Sequence, residues 1–224
     1  MAGRFLDVDY PSLLANENMP DLTCRIVLRG HVAGALQWDD FLRAGSSVDP
    51  QARMASISAH DICDILFTSG TTGHPKGVLC THGQTVRTFS EWSRVVGLAP
   101  EDRYLIVNPF FHAFGYKAGW LSALIVGATS LPHYVFDPTQ VFERIPRDKI
   151  TMLPGPPALY QSLLAHPDVG EQDFSTLRLA VTGAAVIPTD LILSMRSILG
   201  FETVITGYGL TESCGVATMC RFDD

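Results

Sequence analysis

The segment Thr68–Gly77, TSGTTGHPKG, gathers the groups that hold a polyanion. Gly70, Gly73 and Gly77 permit positive φ and let backbone N–H groups close on an anion. Thr68, Ser69, Thr71 and Thr72 add hydroxyl donors that rotate to suit phosphate oxygens, and Lys76 adds a point charge. Hydrogen bonds to charged groups contribute about 1.5–3 kcal/mol each, so a few suffice to hold a triphosphate. A plain Gly/Thr turn would need neither the cation nor the flanking strand-like runs. Two other phosphate loops do not fit. His74 and Pro75 separate Gly73 from Lys76, where a Gly-Lys-Ser/Thr loop needs them adjacent, and a Gly-x-Gly start is absent from this stretch.

Two further segments follow in order, Phe111–Gly115 (FHAFG) and Tyr208–Glu212 (YGLTE). Together with the loop they resemble the adenylate-forming superfamily of acyl-CoA synthetases, firefly-type luciferases and peptide-synthetase adenylation domains. The resemblance runs from about Phe5 to the end of the chain. Within the family, NPFFHAFGYKAG and TMLPGPPALYQSLL look most like acyl-CoA ligases of actinobacterial steroid-ring degradation.

The resemblance implies two half-reactions. A carboxylate attacks the α-phosphorus of ATP to give acyl-AMP and pyrophosphate, and a thiol, here coenzyme A, then displaces AMP. The first step brings two anions together, so positioning and charge neutralisation dominate it. By the resemblance Thr68, Ser69, Gly70, Thr71, Thr72 and Gly73 hold the β- and γ-phosphates, with Lys76 beside them. Glu212 would bind Mg²⁺ with Thr68 as a second ligand, a normal share for a hard cation that keeps phosphate and water oxygens. Thr211 would meet the α-phosphate, and Tyr208, between Gly207 and Gly209, would stack on adenine. Gly183, Ala184 and Ala185 would form the small-residue turn beside adenine and the acyl carboxylate. His112 would orient that carboxylate, which makes His112, Lys76 and Glu212 the catalytic set. Outside these motifs each has a plainer reading: Tyr208 as a core aromatic, Glu212 as a helix-terminal carboxylate, His112 as a structural imidazole beside Phe111 and Phe114.

Relative to that family the sequence departs at both ends. Twelve residues follow Glu212, without the family's ribose-binding aspartate, hinge or C-terminal domain with its lysine. The expectation is a fragment with weak or no turnover alone, with apolar surface exposed where further subdomains would pack. Two alternatives stand beside it: a non-catalytic ATP- or AMP-binding remnant, and an adenylation module that loads a carrier protein.

Positioning these motifs requires an α/β framework. Ile62–Phe67 and Gly77–Cys80 read as strands around the loop. Gln84–Val96 reads as a helix with Val86, Phe89, Trp92 and Val96 on one face and Gly97 as its cap. Tyr104–Val107, Thr129–Pro132, Ile150–Leu153, Leu177–Thr182 and Thr203–Thr206 read as strands. They alternate with helices at Gly115–Val126, Asp137–Ile145, Pro157–Ala165 and Thr189–Leu199. This alternation predicts βαβ units in a mostly parallel sheet flanked by helices, part of the large N-terminal domain of an adenylate-forming enzyme. Residues 1–60 read as the remnant of a preceding subdomain, with Leu22–Leu28 a strand, Trp38–Arg43 a helix and Gly45–Ala59 a connection. The AMP-binding core is expected over 61–224.

Composition agrees with a globular α/β chain. The 224 residues are 46% hydrophobic and 17% charged, with a formal charge of −7. No basic stripe invites nucleic acid. The apolar run from Ala118 ends at Pro132, too short to span a membrane. The start, MAGRFLDVDY, lacks the apolar core of a signal peptide, and five scattered cysteines read as reduced thiols. A cytoplasmic location is expected. The expected partner is a small carboxylic acid, and a homo-oligomer or a complementary chain is left open.

Overall fold

The computed structural model describes residues 1–70 and 73–223. It divides into two compact units, Met1–Ile57 and Ser58–Asp224.

In the first unit β1 (Arg4–Phe5) pairs antiparallel with β2 (Val8–Asp9), and α1 (Tyr10–Ala15) follows. β3 (Ile26–Val27) pairs parallel with β4 (Leu36–Gln37), and α2 (Trp38–Ala44) and α3 (Pro50–Ala55) follow. The strand expected over Leu22–Leu28 shrinks to Ile26–Val27, because only those residues find ladder partners in Leu36 and Gln37. The expected connection Gly45–Ala59 contains α3. Asp49 accepts the Gln51 N–H at 2.9 Å ahead of Pro50, the same N-cap and first-turn proline that the sequence displays at Asp137–Pro138.

The second unit opens with β5 (Ile62–Thr68) and β6 (Lys76–Thr81), an antiparallel hairpin. The connection between them is too short for a parallel crossover, so this pair cannot form a βαβ unit. α4 (His82–Val96) starts on a capping box between Thr81 and Gln84 and stops at Gly97 with φ 70°. Its inward stripe is Thr85, Phe89, Trp92 and Val96, while Val86 is half exposed. Val86 lies one helical step, about 100°, off that stripe, and Thr85 takes its place.

β7 (Arg103–Ile106) then leads to α5 (Ala113–Gly115), a π-helical turn at Tyr116–Leu121 and α6 (Ser122–Val126). The single helix expected over Gly115–Val126 is thus broken, with a kink at Gly119 (φ −87°, ψ −108°). Tertiary packing breaks it. A Cβ on Gly119 would come within 3.1 Å of Ile106 Cγ2, so the chain bends where β7 packs closely on it.

β8 (Thr129–Pro132), α7 (Pro138–Arg147), α8 (Pro157–Leu164), β9 (Leu179–Gly183), α9 (Thr189–Ser197), β10 (Thr203–Tyr208) and β11 (Thr218–Met219) complete the unit. β7 pairs parallel with β8, and β9 pairs parallel with β10. Ile150–Leu153 contributes one residue to the ladder: Met152 bridges Tyr104 on one side and Leu179 on the other. The sheet therefore runs β8, β7, Met152, β9, β10, with β11 antiparallel at the edge. It is the expected mostly parallel sheet.

Strand alternation sends side chains to two cores. Leu105 and Ala180 face a cluster built with Val141, Phe142 and Ile145 of α7, Leu159, Tyr160 and Leu163 of α8, and Met195 of α9. Tyr104, Ile106, Leu179 and Val181 face the other way, onto Phe89, Trp92 and Val96 of α4 and Ala118. Tyr160 sits fully buried because its hydroxyl donates to the Leu153 carbonyl at 2.7 Å.

At the end of α7, Asp148 takes Arg147 Nε at 2.9 Å and Arg144 Nε at 2.7 Å. The Arg147 hydrogen bond, partly opposed by burial and reinforced by Arg144, lowers its carboxyl from the ordinary 3.8 to about 2. A carboxyl depressed in the folded state stabilises above its unfolded pKa, and that contribution disappears as pH falls through the folded one. Stability should therefore decline between about pH 4 and pH 2. Asp148→Asn should flatten that window in melting curves recorded against pH.

Candidate functional site

The carboxyl ends of β9 and β10 supply the floor of a cavity of about 480 Å³. That end of a parallel sheet is where α/β folds bind ligands, since loops leaving neighbouring strands diverge there. Thr182, Gly183 and Ala184 reach it from β9, and Gly207, Tyr208 and Gly209 from β10. Glycine is required at Gly183: a Cβ there would strike the Gly207 carbonyl of the neighbouring strand. Ala184 holds φ 66°, a left-handed conformation unusual for alanine. Such strain clusters where backbone is held for a ligand.

Thr68, Ser69, Gly70 and Lys76 enter the same cavity from the tip of the β5–β6 hairpin. Gly70 has φ 66°, and a Cβ on it would meet the His74 carbonyl, so the loop folds back tightly at that point. Gly73 shares the left-handed backbone at φ 86° but is not among the lining residues. Thr71 and Thr72 lie outside the described residues.

His112, Thr211 and Glu212 complete the polar wall. His112 is the N-cap of α5, and its Nδ1 accepts the Phe114 N–H at 3.1 Å. An accepting Nδ1 carries no proton, so the neutral ring holds its proton on Nε2 and can donate from there. Thr211 and Glu212 lie in a short 3₁₀ turn, Thr211–Ser213, closed by the Ser213 and Cys214 N–H groups on the Leu210 and Thr211 carbonyls, each at 3.0 Å. Ala185 is exposed and is not part of the wall.

The remaining wall is apolar: Phe89 and Trp92 of α4, Ala113, Phe114, Ala118, Val181, Val216 and Met219. Sequence periodicity reads Phe89 and Trp92 only as the buried face of α4, since nothing local separates a core residue from one that also lines a cavity. Ala118 from the apolar segment after Gly115 lines the cavity, whereas Leu124, further along the same segment, is 71% exposed.

Among the described residues no three His, Cys, Asp or Glu side chains gather as a metal cage. The donors present suit Mg²⁺ nonetheless. One carboxylate, Glu212, and one hydroxyl, Thr68, are hard oxygen donors on the same cavity. Magnesium takes few protein oxygens when phosphates and water supply the rest.

Behind the wall, burial raises the thiols of Cys63 and Cys80, with a hydrogen bond to Asp64 adding to the shift at Cys63. Burial alone would lower Lys117, but hydrogen bonds to Cys80 and Asp64 outweigh it and hold the ammonium charged. Sequence alone gives Lys117 no role, because its burial depends on a strand far away in the chain.

The sequence pattern of the AMP-binding enzyme family matches residues 10–224. The chain is 48% identical to the 3-[(3aS,4S,7aS)-7a-methyl-1,5-dioxo-octahydro-1H-inden-4-yl]propanoyl:CoA ligase of Mycobacterium tuberculosis, over 100% of this chain and 44% of that protein. It is 32% identical to the putative acyl-CoA synthetase YngI of Bacillus subtilis, over 96% of this chain and 40% of that one. Among solved structures, the anthranilate CoA ligase AuaEII in complex with anthranoyl-AMP superposes with a TM-score of 0.82 at 28% identity. That match covers 92% of this chain and 40% of the ligase. The N-terminal domain of FACL13 from Mycobacterium tuberculosis gives 0.69 at 29% identity, over 85% and 47%. The chain thus spans less than half the length of these relatives. The fold is that of the N-terminal domain of adenylate-forming enzymes, and the chain belongs to the AMP-binding enzyme family.

Proposed function

We propose that this cavity binds Mg·ATP and a carboxylic acid and forms the acyl-AMP, with coenzyme A as the later acyl acceptor. The supporting observation is convergence. A hydroxyl- and lysine-bearing hairpin tip, a histidine able to donate from Nε2 and the Tyr208–Glu212 segment meet around one space, beside an aromatic wall.

Each group then has a task. Ser69, Gly70 and Lys76 hold the terminal phosphates, and Thr71, Thr72 and Gly73 belong to the same loop. Tyr208, with Gly183 and Ala184, takes adenine, and Thr211 takes the α-phosphate. Glu212 and Thr68 hold the magnesium, which when bound offsets phosphate charge. His112 donates from Nε2 to the substrate carboxylate, whose oxygen attacks the α-phosphorus as the bond to pyrophosphate breaks. Holding two anions in that geometry is the main catalytic task. Phe89, Trp92 and Phe114 take the acyl body. The relatives' names favour an acid with a compact ring-bearing body, activated to its CoA thioester. The protein works in the cytoplasm on this reading.

A non-hydrolysable acyl-sulfamoyl adenosine tests both halves of the proposal. Trp92 lines the cavity, so binding should change tryptophan fluorescence. The mimic should bind at least about tenfold more tightly than AMP, since intermediate mimics gather the binding energy of both substrates. Equal affinity for AMP and the mimic would remove the acid from the proposal, and absence of binding by both would remove the nucleotide.

A further inference from the structure

A closed ring of polar side chains lies outside the residues that line the cavity. Cys63 Sγ donates to Asp64 Oδ2 at 3.0 Å, and Asp64 Oδ1 faces Lys117 Nζ at 3.1 Å. Lys117 donates to Cys214 Sγ at 3.6 Å, Cys214 meets Thr85 Oγ1 at 3.8 Å, and Thr85 meets Cys63 Sγ at 3.3 Å. Lys117 is fully buried and Asp64 is 11% exposed. At that distance the ammonium compensates the Asp64 carboxylate directly.

Three members of this ring sit a short step from a site motif. Asp64 is on β5, the strand that delivers Thr68. Lys117 is in the π-helical turn that continues from His112 and α5. Cys214 closes the 3₁₀ turn of Thr211 and Glu212, and it holds φ 63°, a conformation that favours glycine. A cysteine stays in that region when its surroundings over-determine it. Here its side chain is held from below by Lys117 and Thr85, while its N–H bonds to Thr211.

We propose that Lys117 is a positioning residue: through Cys214 it fixes the turn that presents Thr211 and Glu212, in register with the strand that presents Thr68. The inference rests on the Mg·ATP reading of the cavity. A lysine kept only to neutralise Asp64 would be dispensable once Asp64 is neutral, and that difference decides the matter. The pair removes one charge of each sign, so a doubly neutral variant leaves no buried ion uncompensated.

Lys117→Met alone should lower the melting temperature, because it strands Asp64. Asp64→Asn with Lys117→Met should recover most of that loss. If Lys117 positions the turn, the double variant should still exchange the amide hydrogens of Ser213, Cys214 and Gly215 roughly tenfold faster than wild type, the signature of local opening. Amides of the β7–β8 ladder should be unchanged, and Mg·ATP affinity should fall by a similar factor. Wild-type exchange at those three amides in the double variant would overturn the proposal. Cys214→Ala removes the contact while leaving both charges paired, so it gives the same readout if the double variant does not fold. Unchanged exchange there would also overturn it. Wild-type chain that binds no Mg·ATP, with the turn still loosened in the variants, would refute the nucleotide reading and leave the positioning role supported. Binding that Glu212→Ala abolishes, with no loosening in either variant, would do the reverse.

Discussion

Lys76→Ala is expected to weaken Mg·ATP binding by roughly 10–100-fold while leaving AMP affinity nearly unchanged. The difference follows from where the lysine stands. It is the first residue of β6, exposed at the hairpin tip and on the cavity wall, on the side of Ser69 and Gly70 rather than of Tyr208. A hydrogen bond to a charged group contributes about 1.5–3 kcal/mol, and every 1.4 kcal/mol is about tenfold in affinity. AMP has no β- or γ-phosphate for the side chain to meet. Glu212→Gln tests the other side of the same charge balance. It keeps the shape and removes the anion, so the gain in ATP affinity on adding magnesium should shrink to a small remainder. Calorimetric titrations of ATP and AMP, with and without magnesium, read both effects. Unchanged affinity in both variants would undo the assignment of this loop to phosphate.

Asp102→Ala should produce the largest loss of stability, roughly 2–3 kcal/mol, because buried donors left without an acceptor each cost about 1–3 kcal/mol, while the Arg178 side chain is 33% exposed and regains water. Asp102 is nearly buried, and its carboxylate takes Arg178 Nη2 at 2.5 Å, Thr151 Oγ1 at 2.7 Å and the Ala99 N–H at 2.8 Å. Arg178 also donates to the Gly97 carbonyl at 3.0 Å. Truncation leaves the Thr151 hydroxyl and the Ala99 amide without their acceptor and takes one partner from the guanidinium. For a chain of this size the melting temperature should fall by roughly 10 °C. These groups stand at the starts of β7 and β9, whereas the cavity opens at the strand ends. Nucleotide affinity measured well below the melting temperature should therefore be unaffected. A drop under about 1 kcal/mol would mean that water replaces the carboxylate.

Much of this was legible because it is written in local chemistry. Asp137 with Pro138 announces a helix, and Gly97 stops one, since cap geometry depends on neighbouring residues. The parallel sheet follows from strand and helix alternation, and the cavity's polar wall from three short motifs. What escaped depends on partners distant in sequence. Periodicity places Val86 inward, but the buried stripe of α4 is set by Thr85, which belongs to the Lys117 ring. The run after Gly115 reads as one helix, but it breaks at Gly119, where Ile106 of β7 packs closely. Lys117 carries a charge that no rule of composition would bury, and Asp64 becomes its partner only once β5 lies against the π-helical turn. Trp92 looks like core and is core, and it is also cavity wall.

The hairpin that carries Ser69 and Lys76 has a consequence for how the site comes into being. Its ladder, from Ile62–Thr81 inward to Thr68–Lys76, joins residues close along the chain. The β7–β8 and β9–β10 ladders instead join strands separated by whole helices. Hairpins close in about 1–10 μs, whereas pairings of high contact order are delayed by the entropy of long loops. On refolding, the hairpin tip is thus poised in its final register before the sheet that supplies the cavity floor exists. Assembly of the cavity is then the docking of a finished tip onto a late-forming floor. Nucleotide added during refolding should speed only the last phase.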